Sequence, residues 1–172
     1  MIEPVFVLGV DPGLTRCGYC VLRVSRGQSQ AVALGVIRTD VAAAVPVRLA
    51  ELWSDVHQLL DEFPPQAVAI ERVLFQTNVR TAISVAQAAG VVMAEAASRG
   101  IEVVEYSPNQ VKDAVAGYGG ADKEQVQQMV QILLRLDQPP RPADAADAAA
   151  IALTHVAFSS GAQQLIKSGA TK

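Results

Sequence analysis

The stretch VFVLGVDPGLTRCGYC, residues 5–20, decides how the chain is read. Five of the six residues before Asp11 are apolar and the sixth is Gly9, the pattern of a buried strand. The run ends in a carboxylate, and Pro12-Gly13 turns the chain immediately afterwards. A charge at the inner end of a buried strand is costly unless something holds it, so this stretch raises a chemical question as well as a structural one.

Working outward, CGYCVLRV (17–24) and AVALGVIRT (31–39) read as two further strands, and the short links Pro12-Gly13 and SRGQSQ predict antiparallel neighbours. The period then changes. Over residues 46–63 apolar side chains fall at 49, 52, 53, 56, 59, 60 and 63, which is helical spacing, with Pro46 in the first turn and Pro64-Pro65 as the stop. AVAIERV (67–73) predicts a fourth strand and IEVVEYS (101–107) a fifth. Between them a helix is expected over 78–98, with Asn78 as N-cap and Gly100 as its stop. Further helices are expected at 109–116, 123–136 and 144–159. The sum is one α/β domain: a mixed five-stranded sheet, three antiparallel strands and then two parallel, with helices on both faces. It is expected over residues 1–160, with a flexible tail over 161–172. The 78–98 helix is apolar almost all round, which predicts burial on more than one side, against the sheet and against either another helix or a second subunit.

The 172 residues are 51% hydrophobic and only 5% aromatic, so the core is expected to be built from Ala, Val, Leu and Ile. No uninterrupted apolar run reaches membrane-spanning length, and the N-terminus lacks a signal peptide's basic region and cleavage site, so a cytoplasmic chain is expected. Cys17 and Cys20 form a C-x-x-C, but three apart on a strand they face opposite ways, and no second pair completes a zinc site. They read as reduced structural thiols. His57 and His155 read as structural too; His155 lies eight residues past Asp147, about 12 Å along the helix axis.

Four acids stand where stability alone would not put them: Asp11, Glu71 in AVAIERV, and Asp144 and Asp147 in PADAADAAAIALTH. Asp144 and Asp147, three apart on a helix, share one face. If strands one and four are neighbours, Asp11 and Glu71 end at the same sheet edge, the carboxyl-end position where such sheets place their sites. Clustered carboxylates raise one another's pKa, and an all-oxygen set suits Mg²⁺ or Mn²⁺. Two such ions about 4 Å apart form the phosphodiester-cleaving arrangement. Taken singly, Asp144 also suits an N-cap, Asp147 a helix dipole, and Asp11 a turn before Gly13.

The motifs GVDPGLTRCGY, AIERV, AQAAG, QVKDAVAGYGGADKEQV and PADAADAAAIALTH together resemble the RuvC Holliday-junction endonucleases, from about residue 7 to residue 156. That resemblance implies a ribonuclease-H-like fold and a homodimer. It implies a metal-dependent enzyme with two Mg²⁺ or Mn²⁺ ions per active site. Such an enzyme nicks two strands of like polarity at a four-way DNA junction, leaving 5′-phosphate and 3′-hydroxyl ends, in recombination and repair. It makes Asp11, Glu71, Asp144 and Asp147 the catalytic metal ligands and implies the RuvA–RuvB branch-migration complex as a partner. It assigns Lys112 and Lys123 to DNA, although Lys123 also suits a solvated helix face. The family usually carries an aromatic wedge three places after the glutamate; here Leu74 holds that place and Phe75 follows. Phe75 is therefore expected as the wedge, with Asn78 and Arg80 lining the junction.

The net charge of −3 and pI near 5.3 count against a nucleic-acid partner. Neutralising the four acids would take the charge to +1, leaving Arg72, Arg80, Lys112 and Lys123 to attract phosphate. GVDPGLT also resembles the first phosphate loop of actin-like ATPases and sugar kinases, but this chain has about half the length that a two-lobed nucleotide clamp needs. A catalytically silent DNA-binding dimer is the third reading, disfavoured because unneutralised acids repel DNA.

Overall fold

A computed structural model describes residues 4–74 and 79–169, with side chains described to residue 160. The elements run β1 (Val5–Asp11), β2 (Arg16–Ser25), β3 (Gln28–Arg38), α1 (Val45–Glu62), β4 (Ala67–Glu71), α2 (Val79–Ser98), β5 (Glu102–Tyr106), α3 (Pro108–Ala116), α4 (Lys123–Leu134) and α5 (Ala143–Gly169). The sheet order is β3-β2-β1-β4-β5. β1, β2 and β3 pair antiparallel, while β1–β4 and β4–β5 are parallel. The expected mixed sheet is therefore present, with strands one and four side by side.

Strand alternation sorts the core into two layers. On β1, Leu8 and Val10 pack with α1 and α2, through Leu52, Val56, Leu60, Ala88, Ala89, Val92 and Ala96. Val7 faces α3, α4 and α5. On β4, Val68 and Ile70 join the first layer and Ala69 the second. The two cysteines split in the same way: Cys17 lies in the α1/α2 layer and Cys20 in the α5 layer, both buried and free. Burial pushes each thiol up to about 12, so both stay protonated.

α5 approaches the sheet closely because β1 and β2 present glycines to it. A Cβ on Gly9 would stand 2.2 Å from the Ala148 carbonyl oxygen, and one on Gly18 would stand 2.1 Å from that of Asp144. The facing helix surface is alanine, with Ala145, Ala146, Ala148, Ala149 and Ala152 all buried. Small residues on both sides let backbone pack on backbone, so the helix position is set by contact rather than by flexible side chains.

Several boundaries differ from expectation. β2 and β3 extend further toward each other because Arg26 and Gly27 both take positive φ, 51° and 75°, the signature of a two-residue hairpin turn. α4 stops at Leu134 because Arg135 turns left-handed. α5 continues to Gly169, ten residues past the end expected at 159, so the backbone of the segment expected as a flexible tail is helical through that point. AQQLIK, residues 162–167, is rich in helix formers, and a lone Gly161 costs a helix only about 1 kcal/mol. α2 packs on α1, β4 and β5, and stops at Gly100 with φ 72° as expected. Its length and composition would suit a membrane span, but Ala88, Ala89, Val92 and Ala96 lie in the core beneath α1.

Candidate active site

The same alternation that sorts the core aims the acids. Asp11 lies two places after Gly9 and Glu71 two after Ala69, so both continue the α5-facing rows of their strands. Val10 pairs with Ile70, which puts Asp11 and Glu71 at one level at the carboxyl ends of adjacent parallel strands. Asp11 also pairs with Gly18, and Gly18 is the residue against which the Asp144 backbone rests. Asp147 follows one helical turn later. Three remote segments thus bring four carboxylates to one corner.

Their electrostatics follow from this proximity. The Asp11 carboxyl is pushed from 3.8 up to about 7, first by burial, then by the charges of Glu71, Asp147 and Asp144, with Lys123 pulling the other way. Glu71 is raised by burial and then by Asp147, again opposed by Lys123. Two cations hold the helix acids. Lys123 Nζ lies 2.8 Å from Asp147 Oδ2. Arg16 places Nε 2.7 Å and Nη2 2.6 Å from the same oxygen of Asp144, Oδ2. The ion pair raises the Lys123 pKa, keeping it charged. With these side-chain positions, no three acidic, cysteine or histidine groups among the described residues are arranged to hold a metal ion. The donor set nevertheless fits a hard divalent cation: every donor is a carboxylate oxygen, and among the described residues no cation pairs directly with Asp11 or Glu71.

The surrounding loops are tied down. Thr39 Oγ1 donates to the Leu14 carbonyl at 2.6 Å, and Arg48 bonds Thr39 (2.9 Å) and Thr15 (2.8 Å), fixing the turn after Asp11. In the glycine-rich loop, Tyr118 Oη donates to Gln125 Oε1 at 2.7 Å, the oxygen that also accepts the Asp122 amide. Asp122 and Gln125 form a capping box that starts α4 at Lys123.

The other expected DNA contacts divide. Lys123 joins the four acids. Lys112 sits half-buried on α3, with no ion pair to them among the described residues. Arg80 stands exposed in the first turn of α2. Phe75 and Asn78 lie outside the described residues, as does the proposed N-cap role of Asn78. Reading from sequence missed Arg16, though a signal was there: it precedes Gly18 by two on β2 and so belongs to the same face. His57 and His155 are structural, as expected. His57 contacts Glu95 and Arg99 between α1 and α2, and His155 Nδ1 meets the buried Tyr106 hydroxyl at 3.0 Å.

An open mixed sheet that gathers acids at the ends of two parallel strands and the start of a crossing helix is the frame of the ribonuclease-H-like nucleases. The family model of crossover junction endodeoxyribonuclease RuvC matches residues 7–155. A crossover junction endodeoxyribonuclease RuvC of Syntrophomonas wolfei is 46% identical over 166 residues, covering 96% of both chains. That of Streptomyces avermitilis is 52% identical over 151 residues, covering 87% of this chain and 86% of its own. Among solved structures, Thermus thermophilus RuvC superposes with a TM-score of 0.85 at 36% identity, over 92% of this chain and 97% of its own. T. thermophilus RuvC in complex with a Holliday junction substrate gives 0.85 at 37%, over 90% and 94%. The chain belongs to the RuvC family: it is a crossover junction endodeoxyribonuclease, a member of a metal-dependent class of nucleases.

Proposed function

We propose that this enzyme resolves four-way DNA junctions as a homodimer, with Asp11, Glu71, Asp144 and Asp147 holding two Mg²⁺ or Mn²⁺ ions in each active site. Paired symmetric nicks in strands of like polarity would leave 5′-phosphate and 3′-hydroxyl ends. The observation that carries this reading is the under-neutralised corner: four carboxylates from β1, β4 and α5 meet where, among the described residues, Arg16 and Lys123 alone offset them, and Asp11 is driven up to about 7. Evolution toward stability alone would not bury acids in that way. The T. thermophilus complex with a Holliday junction substrate supports junction DNA as the ligand.

When bound, the divalent ions supply Lewis acidity to the attacking water and the leaving oxygen. The chain supplies position. β1 and β4, rigid and buried, fix Asp11 and Glu71; α5, seated on Gly9 and Gly18, fixes Asp144 and Asp147. Lys123, paired with Asp147, stands where charge accumulates on the phosphate during cleavage. Lys112 is assigned to the DNA backbone, Asn78 and Arg80 to the lining of the junction, and Phe75 to the stacking wedge.

Three features support the homodimer. Val79 and Ile83 on α2 are 71% and 51% exposed, and Trp53 on α1 is 46% exposed. Gly90 sits mid-helix with nothing among the described residues beyond its own helix backbone within 4 Å of where its Cβ would stand, so a close approach by a second copy gives that glycine its use. The RuvA–RuvB complex is the partner this reading implies, and the cytoplasm is the compartment. The test is cleavage of four-way, three-way and linear DNA with and without metal. Four-way junctions should be nicked only with Mg²⁺ or Mn²⁺, and Asp11→Asn should bind without cutting; nicking by Asp11→Asn, or in excess chelator, would overturn the metal assignment.

A further inference from the structure

Arg16 makes an unusual pair with Asp144. Both nitrogens converge on one oxygen, Oδ2, at 2.6 and 2.7 Å, rather than spanning the carboxylate as a fork does. Both side chains are about one-third exposed, 37% and 29%, so the pair is reachable from solvent. Asp144 itself is pinned, because its backbone carbonyl rests against Gly18. The arginine is the movable partner: a long side chain on β2, two places before that glycine, with an open side toward water.

We propose that Arg16 is a further residue of the cleavage site, a positioning residue that occupies Asp144 until a divalent cation takes that oxygen and is then released toward the junction's phosphate backbone. This rests on the assignment of the four acids as metal ligands. Cation and guanidinium, both positive, compete for one acceptor oxygen, so each weakens the other's hold on Oδ2. The exposed pair is weak enough to be displaced, while the pinned acid keeps its place for the incoming ion. Once freed, Arg16 has phosphate as its natural bidentate partner. By linkage, a cation that frees a DNA contact must itself be bound more tightly when DNA is present.

The experiment measures Mn²⁺ binding to the DNA-free protein by electron paramagnetic resonance of unbound Mn²⁺. Arg16→Gln removes the competitor, Arg16→Lys keeps the charge, and Arg38→Gln removes equal charge from the paired position on β3. Arg16→Gln should bind Mn²⁺ about fivefold tighter, the loss of a partly exposed pair, and Arg38→Gln and Arg16→Lys distinctly less so. Unchanged or weaker binding in Arg16→Gln would show that the arginine merely props Asp144. Equal tightening in Arg38→Gln would reduce the effect to long-range field. Either result overturns the proposal while leaving the four acids intact as ligands. A parent chain that binds no Mn²⁺, or binds it unchanged in Glu71→Gln, would overturn both readings. Junction binding by fluorescence anisotropy supplies the second arm. Arg16→Gln should match the parent in chelator and bind several-fold more weakly than the parent in Ca²⁺; a deficit already present in chelator would refute the release of Arg16 by the cation.

Discussion

Replacing Gly18 by alanine tests whether the sheet-to-helix contact builds the site. The added Cβ would stand 2.1 Å from the Asp144 carbonyl oxygen, 2.6 Å from its carbonyl carbon and 3.2 Å from its Cβ. Ordinary contact is about 3.5 Å, so backbone must separate by roughly 1 Å, and neither side has a flexible tip that can yield. Two losses follow. Overpacking costs about 1–3 kcal/mol, equivalent to roughly 2–10 °C in melting temperature for a chain of this size. The displaced residue is Asp144 itself, and a shift of roughly 1 Å at reacting groups costs about a hundredfold in rate. Single-turnover cleavage of a four-way junction, read well below the melting transition, separates the two. Leu22→Ala is the control: Leu22 is fully buried on the same face of β2, and its truncation costs about 2–5 kcal/mol. It touches none of the four acids in sequence or register. Gly18→Ala should lose far more cleavage than Leu22→Ala despite the smaller expected loss of stability. Equal cleavage in the two variants at equal fraction folded would refute the claim that this contact sets the geometry.

Asp11 gives the metal-free protein a pH signature. Its carboxyl is raised from 3.8 to about 7, so the stability it contributes is present below pH 4 and lost as pH climbs to about 7. In thermal melts Asp11→Asn should flatten that decline and gain about 2–4 kcal/mol at pH 8; an unchanged pH slope would remove Asp11 as its source. Thr39→Val leaves the buried Leu14 carbonyl without its donor and should cost about 1–3 kcal/mol in urea unfolding, whereas a neutral result would mean that the turn after Asp11 is held without it. Gly90→Ala should stabilise the isolated helix by about 1 kcal/mol yet weaken self-association in sedimentation equilibrium. Parental self-association would remove the close-approach argument for the dimer.

The sequence made the strands and the acids legible because both break a simple expectation. Asp11 and Glu71 are charges placed where apolar rows predict burial, and the period of two already puts each on the row of Gly9 or Ala69. Cys17 and Cys20 could be dismissed as a pair by the same period, and they lie in opposite layers. What stayed hidden depends on contacts between remote segments. The pairing of Arg16 with Asp144 spans 128 positions and exists only because Gly18 lets α5 settle on β2. Lys123 read equally well as a solvated lysine, because its meeting with Asp147 requires the α3–α4 loop to bring the start of α4 over α5. The helix expected over 144–159 runs on to Gly169, because residues 162–167 favour helix and a lone Gly161 costs it little.

The arrangement also explains how an acidic chain can serve a polyanionic substrate. The four acids are not equivalent. Asp144 and Asp147 lie on a helix surface, each matched by one basic side chain that approaches from solvent. Asp11 and Glu71 lie half-buried on strand ends and, among the described residues, are offset at a distance by Lys123. Burial raises their affinity for a proton, and for the same electrostatic reason it raises their affinity for any small cation that can reach them with its own charge undiluted. On the proposed metal assignment, a divalent ion would satisfy the strand acids more completely than a proton does, and Arg16, displaced from Asp144, would then face outward. Charge that repels DNA would then be consumed inside the corner, while charge that attracts DNA would be returned to its rim. On that assignment the net charge of −3 understates what the metal-bound surface would offer a phosphate.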